Sequence, residues 1–232
     1  MSSERTTAWL AYTQLLDSAL PIGAFSHSFG LETMVQLGEI QTVDELKRYL
    51  AAMLVWNWAP ADGMGIKAVY TYAPEARWEE LWRTDQRLHA QRLASETRDG
   101  VQKMGRRLLL LCQNMHPQLM WQPLEQAVRQ RHTAGTHAVV HGWTCWQFGL
   151  PLEMAAEGYL YTCLTTSVGS ALRLMSMGQT EGQALIVAML PFVQEAWRRA
   201  ADGDPGAPRS TALGSEIFMM KHEELYSRLF MS

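Results

Sequence analysis

The sequence predicts an all-α protein, a single-domain helical bundle of roughly eight to ten helices. Helix-start signals and apolar residues at helical spacing recur along the 232 residues. Segments of four to eight alternating residues bounded by hairpin turns, which would indicate strands, do not stand out. Hydrophobic residues make up 47% and charged residues 19%, which is typical of a chain with a buried core. No repeat of solenoid length is present, so we expect one domain over residues 1–200.

The first clear helix begins after residue 41. Thr42 and Glu45 have the spacing of a capping box, in which each side chain accepts a hydrogen bond from an unpaired backbone amide at the helix start. Apolar residues then recur at helical spacing over 43–54. Pro60 and Pro74 each fit the first turn of a helix, where proline loses no needed hydrogen bond.

Strong helix formers fill residues 75–115, and Gly100 and Gly105 predict a break near the middle of this segment. A further helix is expected over 137–148.

Two long helices are expected after that, over 152–177 and 181–200. In the first, Gly158 and Gly169 should let a neighbouring helix approach closely. In the second, Pro191 predicts a kink.

The C-terminal part has a different composition. Residues 201–210 are polar and rich in Gly and Pro, which predicts a linker. Residues 211–232 carry a partial apolar stripe and form a C-terminal tail. We expect this tail to be loosely held in the isolated chain and ordered by a partner, in the manner of a helix bound in a groove.

Charge and cysteine usage exclude several functional classes. Twenty basic and 23 acidic residues give a net charge of −3, which offers no basic surface for nucleic acid and no polybasic membrane anchor. Cys112, Cys145 and Cys163 are too far apart for a zinc motif, so we expect reduced, mostly buried thiols. The longest apolar run, residues 184–193, has about half the length of a membrane span. We expect a cytoplasmic protein.

The sequence contains partial matches to catalytic motifs but no complete one. His222 begins an HExxH-like segment, but Tyr226 stands where the second histidine should be. Ser26 and His27 are adjacent without forming GxSxG, and residues 63–67 do not match a P-loop. We therefore expect no enzyme, and the open alternative is a cofactor-free hydrolase built on Ser26, His27 and Glu32.

His137, His141 and Cys145 are the best metal candidates, since positions i, i+4 and i+8 follow one helix face. They favour a nickel-binding metallochaperone as the alternative function. The competing interpretation is a face that packs inward, with each histidine bonded to a backbone carbonyl or a carboxylate. Arg173 likewise has two interpretations, an exposed position on an amphipathic helix or a contact for a partner's carboxylate.

Three ordered segments carry a family resemblance. The N-terminal block, residues 15–32, reads LLDSALPIGAFSHSFGLE; the central block, 167–183, contains SVGSALRL and MGQTEGQ; the C-terminal block, 220–230, reads MKHEELYSRLF. Together they resemble the urease accessory protein UreF family, and His137 before Gly142 is also similar to a position of that family.

The resemblance implies an all-helical homodimer without catalytic activity or cofactor. Such proteins assemble with UreD (called UreH in some species) and with the GTPase UreG, and the assembly docks on apo-urease to help insert nickel. UreF is the bridge and influences the GTPase step. The residues that we expect to bind partners are Asp17, Ser18, Ser26, His27, Glu32, Arg173, Gln179, Gln183, His222, Glu223, Arg228 and Phe230.

Overall fold

The structure is a computed structural model that describes the backbone of residues 3–232 and the side chains from residue 8 onward. Within that range the chain forms eleven α-helices and no β-strand, so the prediction of an all-α single domain is confirmed. The helices are α1 (Ser3–Leu15), α2 (Leu31–Gln36), α3 (Val43–Met53), α4 (Asp62–Tyr72), α5 (Trp78–Ala90), α6 (Ser95–Met115), α7 (Gln122–Arg129), α8 (His137–Gln147), α9 (Leu152–Leu174), α10 (Gln179–Ala200) and α11 (Leu213–Lys221).

Helix α8 lies at the centre of the bundle, between α4, α6 and α9, and residues 137–145 are all buried. Glycine allows its close contact with α4: a Cβ atom added at Gly142 would lie 3.1 Å from the Cα of Ile66. The core therefore forms around a helix that is buried on every side over residues 137–145, although it carries the polar residues His137, His141 and Thr144.

The predicted start of α3 is confirmed. Thr42 accepts a hydrogen bond from the amide of Glu45, and the Glu45 carboxylate accepts one from the amide of Thr42 at 3.0 Å. The helix then continues into a π-helical turn over Leu54–Trp58 before α4 begins at Asp62.

The predicted break at Gly100 and Gly105 is wrong, because α6 continues through both residues and the chain interrupts at 91–94 instead. Both glycines serve close packing. A Cβ at Gly100 would lie 2.8 Å from the ring of His27, and one at Gly105 would lie 2.1 Å from the carbonyl oxygen of Gly135. At both positions glycine permits the close approach of another segment of the protein. In the sequence, such a glycine looks the same as one that breaks a helix.

The expectations for the long helices are met in part. Gly158 faces the ring of Tyr12 on α1, with no room for a Cβ, so close approach is confirmed there. Gly169 has nothing within 4 Å of such an atom, so for this residue the prediction is wrong. Helix α9 ends at Leu174. Helix α10 continues through Pro191, and the kink expected there stays a prediction.

A buried carboxylate holds the loop that leads into α8. Asp85 on α5 is fully buried and accepts hydrogen bonds from the hydroxyls of Thr133 and Thr136. It also accepts backbone N–H bonds from Gly135 at 2.7 Å and from Thr136 at 3.3 Å. The orientation of α8 therefore depends on a residue 50 positions earlier in the chain.

Residues 201–210, the predicted linker, lie against the helical body. Lys67 donates to the carbonyl oxygens of Ala201 and Gly203 at 2.7 and 2.8 Å, and the amide of Arg209 donates to Pro60 at 3.0 Å. Ordering of the tail by a partner stays a prediction, and the contacts of the tail with the body are described below. None of the described helices is both long and apolar enough to cross a membrane.

Candidate protein-binding site

The three sequence blocks, which are far apart in the chain, meet at one place in the structure. The N-terminal block contributes a loop and α2, the central block contributes the end of α9, and the tail lies across both. We call this place the junction. It is defined by contacts of Ser26, Glu32 and Arg173 with residues 222–232.

Glu32 is the central residue of the junction, and its exposed fraction is 1%. Its carboxylate accepts backbone N–H bonds from Leu229 at 2.7 Å and from Phe230 at 3.1 Å. It also lies 3.1 Å from Nε2 of His222. One buried carboxylate therefore orients the C-terminal block, and such charge-assisted bonds are stronger than neutral ones.

His222 is fully buried between two carboxylates. Its Nδ1 lies 2.6 Å from Glu96 of α6, while its Nε2 faces Glu32. Each ring nitrogen therefore faces a carboxylate oxygen, and a nitrogen that carries a proton donates it to that oxygen. The second oxygen of Glu96 accepts from Arg228 at 2.7 Å. Two acidic and two basic side chains thus close a network that joins α2, α6 and the tail.

Glu96 is the member of this network that sequence reasoning missed. It lies outside the three blocks, in a helix whose other charged residues are mostly exposed. A glutamate in the first turn of a helix is ordinarily explained by the helix dipole, so its partners cannot be read from local sequence.

The loop of the N-terminal block pairs with the last residues of the chain. The Met231 amide donates to the carbonyl of Ser26 at 2.8 Å, and the carbonyl of Ser232 accepts from Ser28 and Phe29. His27 Nδ1 lies 2.7 Å from Oγ of Ser232, and burial lowers the pKa of this histidine.

The structure does not assemble a hydrolase from Ser26, His27 and Glu32. The ring of His27 bonds to Ser232, and the carboxylate of Glu32 bonds to His222 and the tail backbone. No hydrogen bond joins Ser26 to His27 through their side chains within the described residues. A nucleophile with an oriented base is therefore not formed.

Arg173 connects the central block to both other blocks. Its guanidinium donates to the carbonyl oxygen of Phe25 at 3.0 Å and lies 4.3 Å from the centre of the Phe230 ring. The side chain is exposed, which agrees with the interpretation of an exposed position on an amphipathic helix. A contact with a partner's carboxylate stays a prediction.

The remaining candidates lie at the edge of the junction or away from it. Asp17 and Ser18 are exposed at the mouth of a neighbouring cavity, and Glu223 accepts a hydrogen bond from Ser95. Gln179 and Gln183 are exposed on the first turns of α10 and are not part of the network.

Large apolar side chains are exposed over the junction. Phe25 is 69% and Leu229 52% exposed, and Tyr226 and Met231 are also exposed. The exposed side chains of Arg173 and Arg228 lie among these apolar groups, so the surface is apolar with charged side chains beside it. Exposed apolar surface next to an ordered polar network is typical of protein-binding sites.

The predicted metal face of α8 points into the core. His141 Nε2 lies 3.1 Å from the Ala155 carbonyl oxygen and 3.4 Å from Sγ of Cys145. Burial lowers the pKa of His137 to about 3 and that of His141 to about 4, and raises the pKa of the Cys145 thiol, which disfavours the thiolate that binds metal. Among the side chains that the structure describes, no three His, Cys, Asp or Glu residues are grouped to hold a metal ion.

Sequence comparisons with known proteins give one family and several similar relatives. A sequence model of the family named UreF matches residues 40–190. A urease accessory protein UreF of Lachnoclostridium phytofermentans is 32% identical over 222 residues, covering 94% of this chain and 96% of the relative. Proteins of the same description from a Bacillus species and from Actinobacillus pleuropneumoniae are 30% and 29% identical, and each alignment covers 96% of this chain and 98% of the relative.

Proposed function

Since the chain belongs to the UreF family of urease accessory proteins, we propose that it is a non-catalytic scaffold in nickel insertion into apo-urease. In this role it bridges UreD (or UreH) and the GTPase UreG, and it influences the GTPase step. It acts in the cytoplasm as a homodimer and needs no cofactor of its own.

The observation that carries this proposal is the junction itself. Its ionisable groups, Glu32, Glu96, His222 and Arg228, bond to one another and to backbone amides, which supports a structural use of these charges. Above them lies an exposed apolar surface that includes Phe25 and Leu229. A rigid polar base beneath an apolar surface suits protein recognition, because the binding residues are already ordered before the partner arrives.

We assign UreD to the apolar surface formed by the tail. Replacing Leu229 by Asp places a charge on this surface and keeps the backbone amide that Glu32 binds. Co-expression with the urease operon should then give less co-purified UreD and less active urease. Leu110→Asp is the matched control, because Leu110 is 55% exposed on α6 away from the junction.

Deleting residues 211–232 is the coarser form of the same test. Undiminished co-purification of UreD with the truncated chain, or with Leu229→Asp, would contradict the assignment. Equal loss in Leu110→Asp would show that the effect is general and not local to the tail.

We assign the end of α9 and the start of α10 to UreG or to the second protomer. Arg173, Gln179 and Gln183 are exposed there. Arg173→Ala should lower urease activation while the helical circular dichroism signal and the Tm are retained. A large drop in Tm would instead mark Arg173 as structural, through its contacts with Phe25 and Phe230.

A further inference from the structure

A cavity of about 220 Å³ lies between the N-terminal block, α9 and the inner face of α11. Its mouth is formed by residues of two blocks of the junction, and the side chains of Asp17, Phe25 and Arg173 there are exposed. At about 30 Å³ per water in the liquid, the volume would admit a long side chain or a small solute.

The floor of the cavity carries charged side chains that are more than nine-tenths buried, namely Asp62, Arg92 and Glu216. Arg92 donates to Oδ1 of Asp62 and to the Leu88 carbonyl at 2.8 Å. Glu216 accepts the amide of Leu93 at 2.9 Å through one oxygen. One oxygen of each carboxylate has no hydrogen bond from the described part of the chain.

Neutral polar groups on the walls also lack partners. The side chains of Asn57 and His137 line the cavity, are more than nine-tenths buried, and form no hydrogen bond with the described residues. Buried polar atoms normally have a partner, so these groups indicate a ligand or water in the cavity.

The charge of the lining favours a cation. Its acidic residues are Asp17, Asp62 and Glu216, and its basic residues are Arg92 and Arg173. Burial keeps His137 neutral by lowering its pKa to about 3, so the lining has one excess negative charge. The walls nearer the mouth include Leu16, Leu20, Ile22, Phe29 and Met104, which are apolar.

We propose that this cavity binds the guanidinium or ammonium head of an alkyl cation, with the aliphatic stem against the apolar wall. The free carboxylate oxygens of Asp62 and Glu216 and the amide oxygen of Asn57 accept the N–H bonds of the head group. The source to which we assign the cation is an arginine or lysine side chain of a partner protein, and this assignment rests on the proposed scaffold function. Long basic side chains combine an apolar stem with a charged end, which is the pattern of this lining.

The test uses the purified full-length chain and isothermal titration calorimetry with n-butylguanidinium. N-butylurea, which has nearly the same shape and no charge, is the matched ligand control. We expect a dissociation constant of about 1 mM for the cation and binding at least about tenfold weaker for the urea. Equal binding of both compounds, or no binding of the cation, would overturn the proposal.

Two substitutions test whether the cation binds in this cavity. Glu216→Gln keeps an oxygen for the Leu93 amide and removes the charge, and it should weaken cation binding about tenfold. Asn57→Leu keeps a similar size and removes the unpaired amide, and it should also weaken binding. Glu181→Gln on the exposed start of α10 should leave binding unchanged. Unaltered binding in both cavity variants with a retained Tm would place the cation elsewhere and reject the proposal.

A competition experiment separates the two sources of the cation. If a partner side chain occupies the cavity, saturating n-butylguanidinium should reduce co-purification of UreD or UreG, and N-butylurea should not. Calorimetric binding without such competition would assign the cavity to a free alkyl cation. The calorimetric result does not depend on urease maturation, so failure of the cavity proposal and failure of the scaffold proposal are distinguishable.

Discussion

At the scale of single residues, backbone contacts decide which positions tolerate change. Gly105 and Gly169 are both helix-interior glycines and look alike in sequence. The first lies against the backbone of Gly135 and Thr136, and the second faces open space. Helix propensity alone would rank them as equal, so the difference arises from tertiary contacts that the local sequence does not show.

Gly105→Ala should destabilise the protein by about 3 kcal/mol or more, because backbone atoms 2.1–2.6 Å away cannot move aside as side chains do. Gly169→Ala should stabilise it by about 0.5–1 kcal/mol through helix propensity. Urea denaturation at pH 7.5 measures both values. Similar effects of the two substitutions would contradict the described packing.

Asp85→Asn should cost about 2–4 kcal/mol of unfolding free energy, because an amide cannot replace all four hydrogen bonds that the carboxylate accepts. Asp99→Asn, at an exposed position of α6, is the matched control and should change stability by less than about 0.5 kcal/mol. Chemical denaturation followed by circular dichroism compares them. An Asp85→Asn variant as stable as this control would argue against the loop being held by that carboxylate.

At the scale of elements, helix identity was predictable because helical spacing, capping and proline positions are local signals. Helix boundaries and breaks were less predictable from sequence, because α6 continues through Gly100, where a break was expected. Helix α8 was predicted over 137–148, and its two histidines were recognised as lying along one face. That this face is enclosed follows from α4, α6 and α9 packing around it, which no signal within residues 137–147 reveals.

The enclosure of α8 predicts a pH dependence of stability. The folded-state pKa values of His137 and His141 are about 3 and 4, whereas unfolded histidine titrates near 6.5. Between these values the unfolded chain binds more protons, so stability rises with pH and is lost on acidification. We expect the unfolding free energy to fall by about 4 kcal/mol between pH 7 and pH 5.

His141→Gln removes one titrating group and keeps an N–H donor for the Ala155 carbonyl. Urea titrations at several pH values should give a smaller slope in this variant, because one histidine with a lowered pKa has been removed. A wild-type unfolding free energy that is constant from pH 7 to pH 5 would show that these histidines titrate normally and are not enclosed.

At the scale of the whole molecule, the two ends of the chain are joined through Glu32 and His222, which lie 190 residues apart. The residues of the junction could be named from sequence because they lie in recognisable blocks. Their mutual contacts, and the participation of Glu96, could not be derived, since long-range pairing leaves no periodic pattern. The fold class was therefore predictable, and the arrangement of the site was only partly so.

Loss of the tail should affect the whole domain. Deleting residues 211–232 removes His222, the buried partner of Glu32, and the backbone amides that its carboxylate binds. The deletion removes these charge-assisted hydrogen bonds and the buried side chains of Met219 and Phe230, so the truncated chain should unfold at lower urea concentration. Lys221→Ala, at an exposed neighbouring position, should have little effect. A truncated chain with unchanged stability would show that the tail is not part of the folded unit.

The meeting of the two chain ends also has a consequence for biosynthesis. Glu32 leaves the ribosome early, but its partners at 222–230 are made about 10–40 s later at ordinary rates of translation. The junction can close only after residues 222–230 have been made. A product that terminates before residue 222 therefore leaves Glu32 without these contacts.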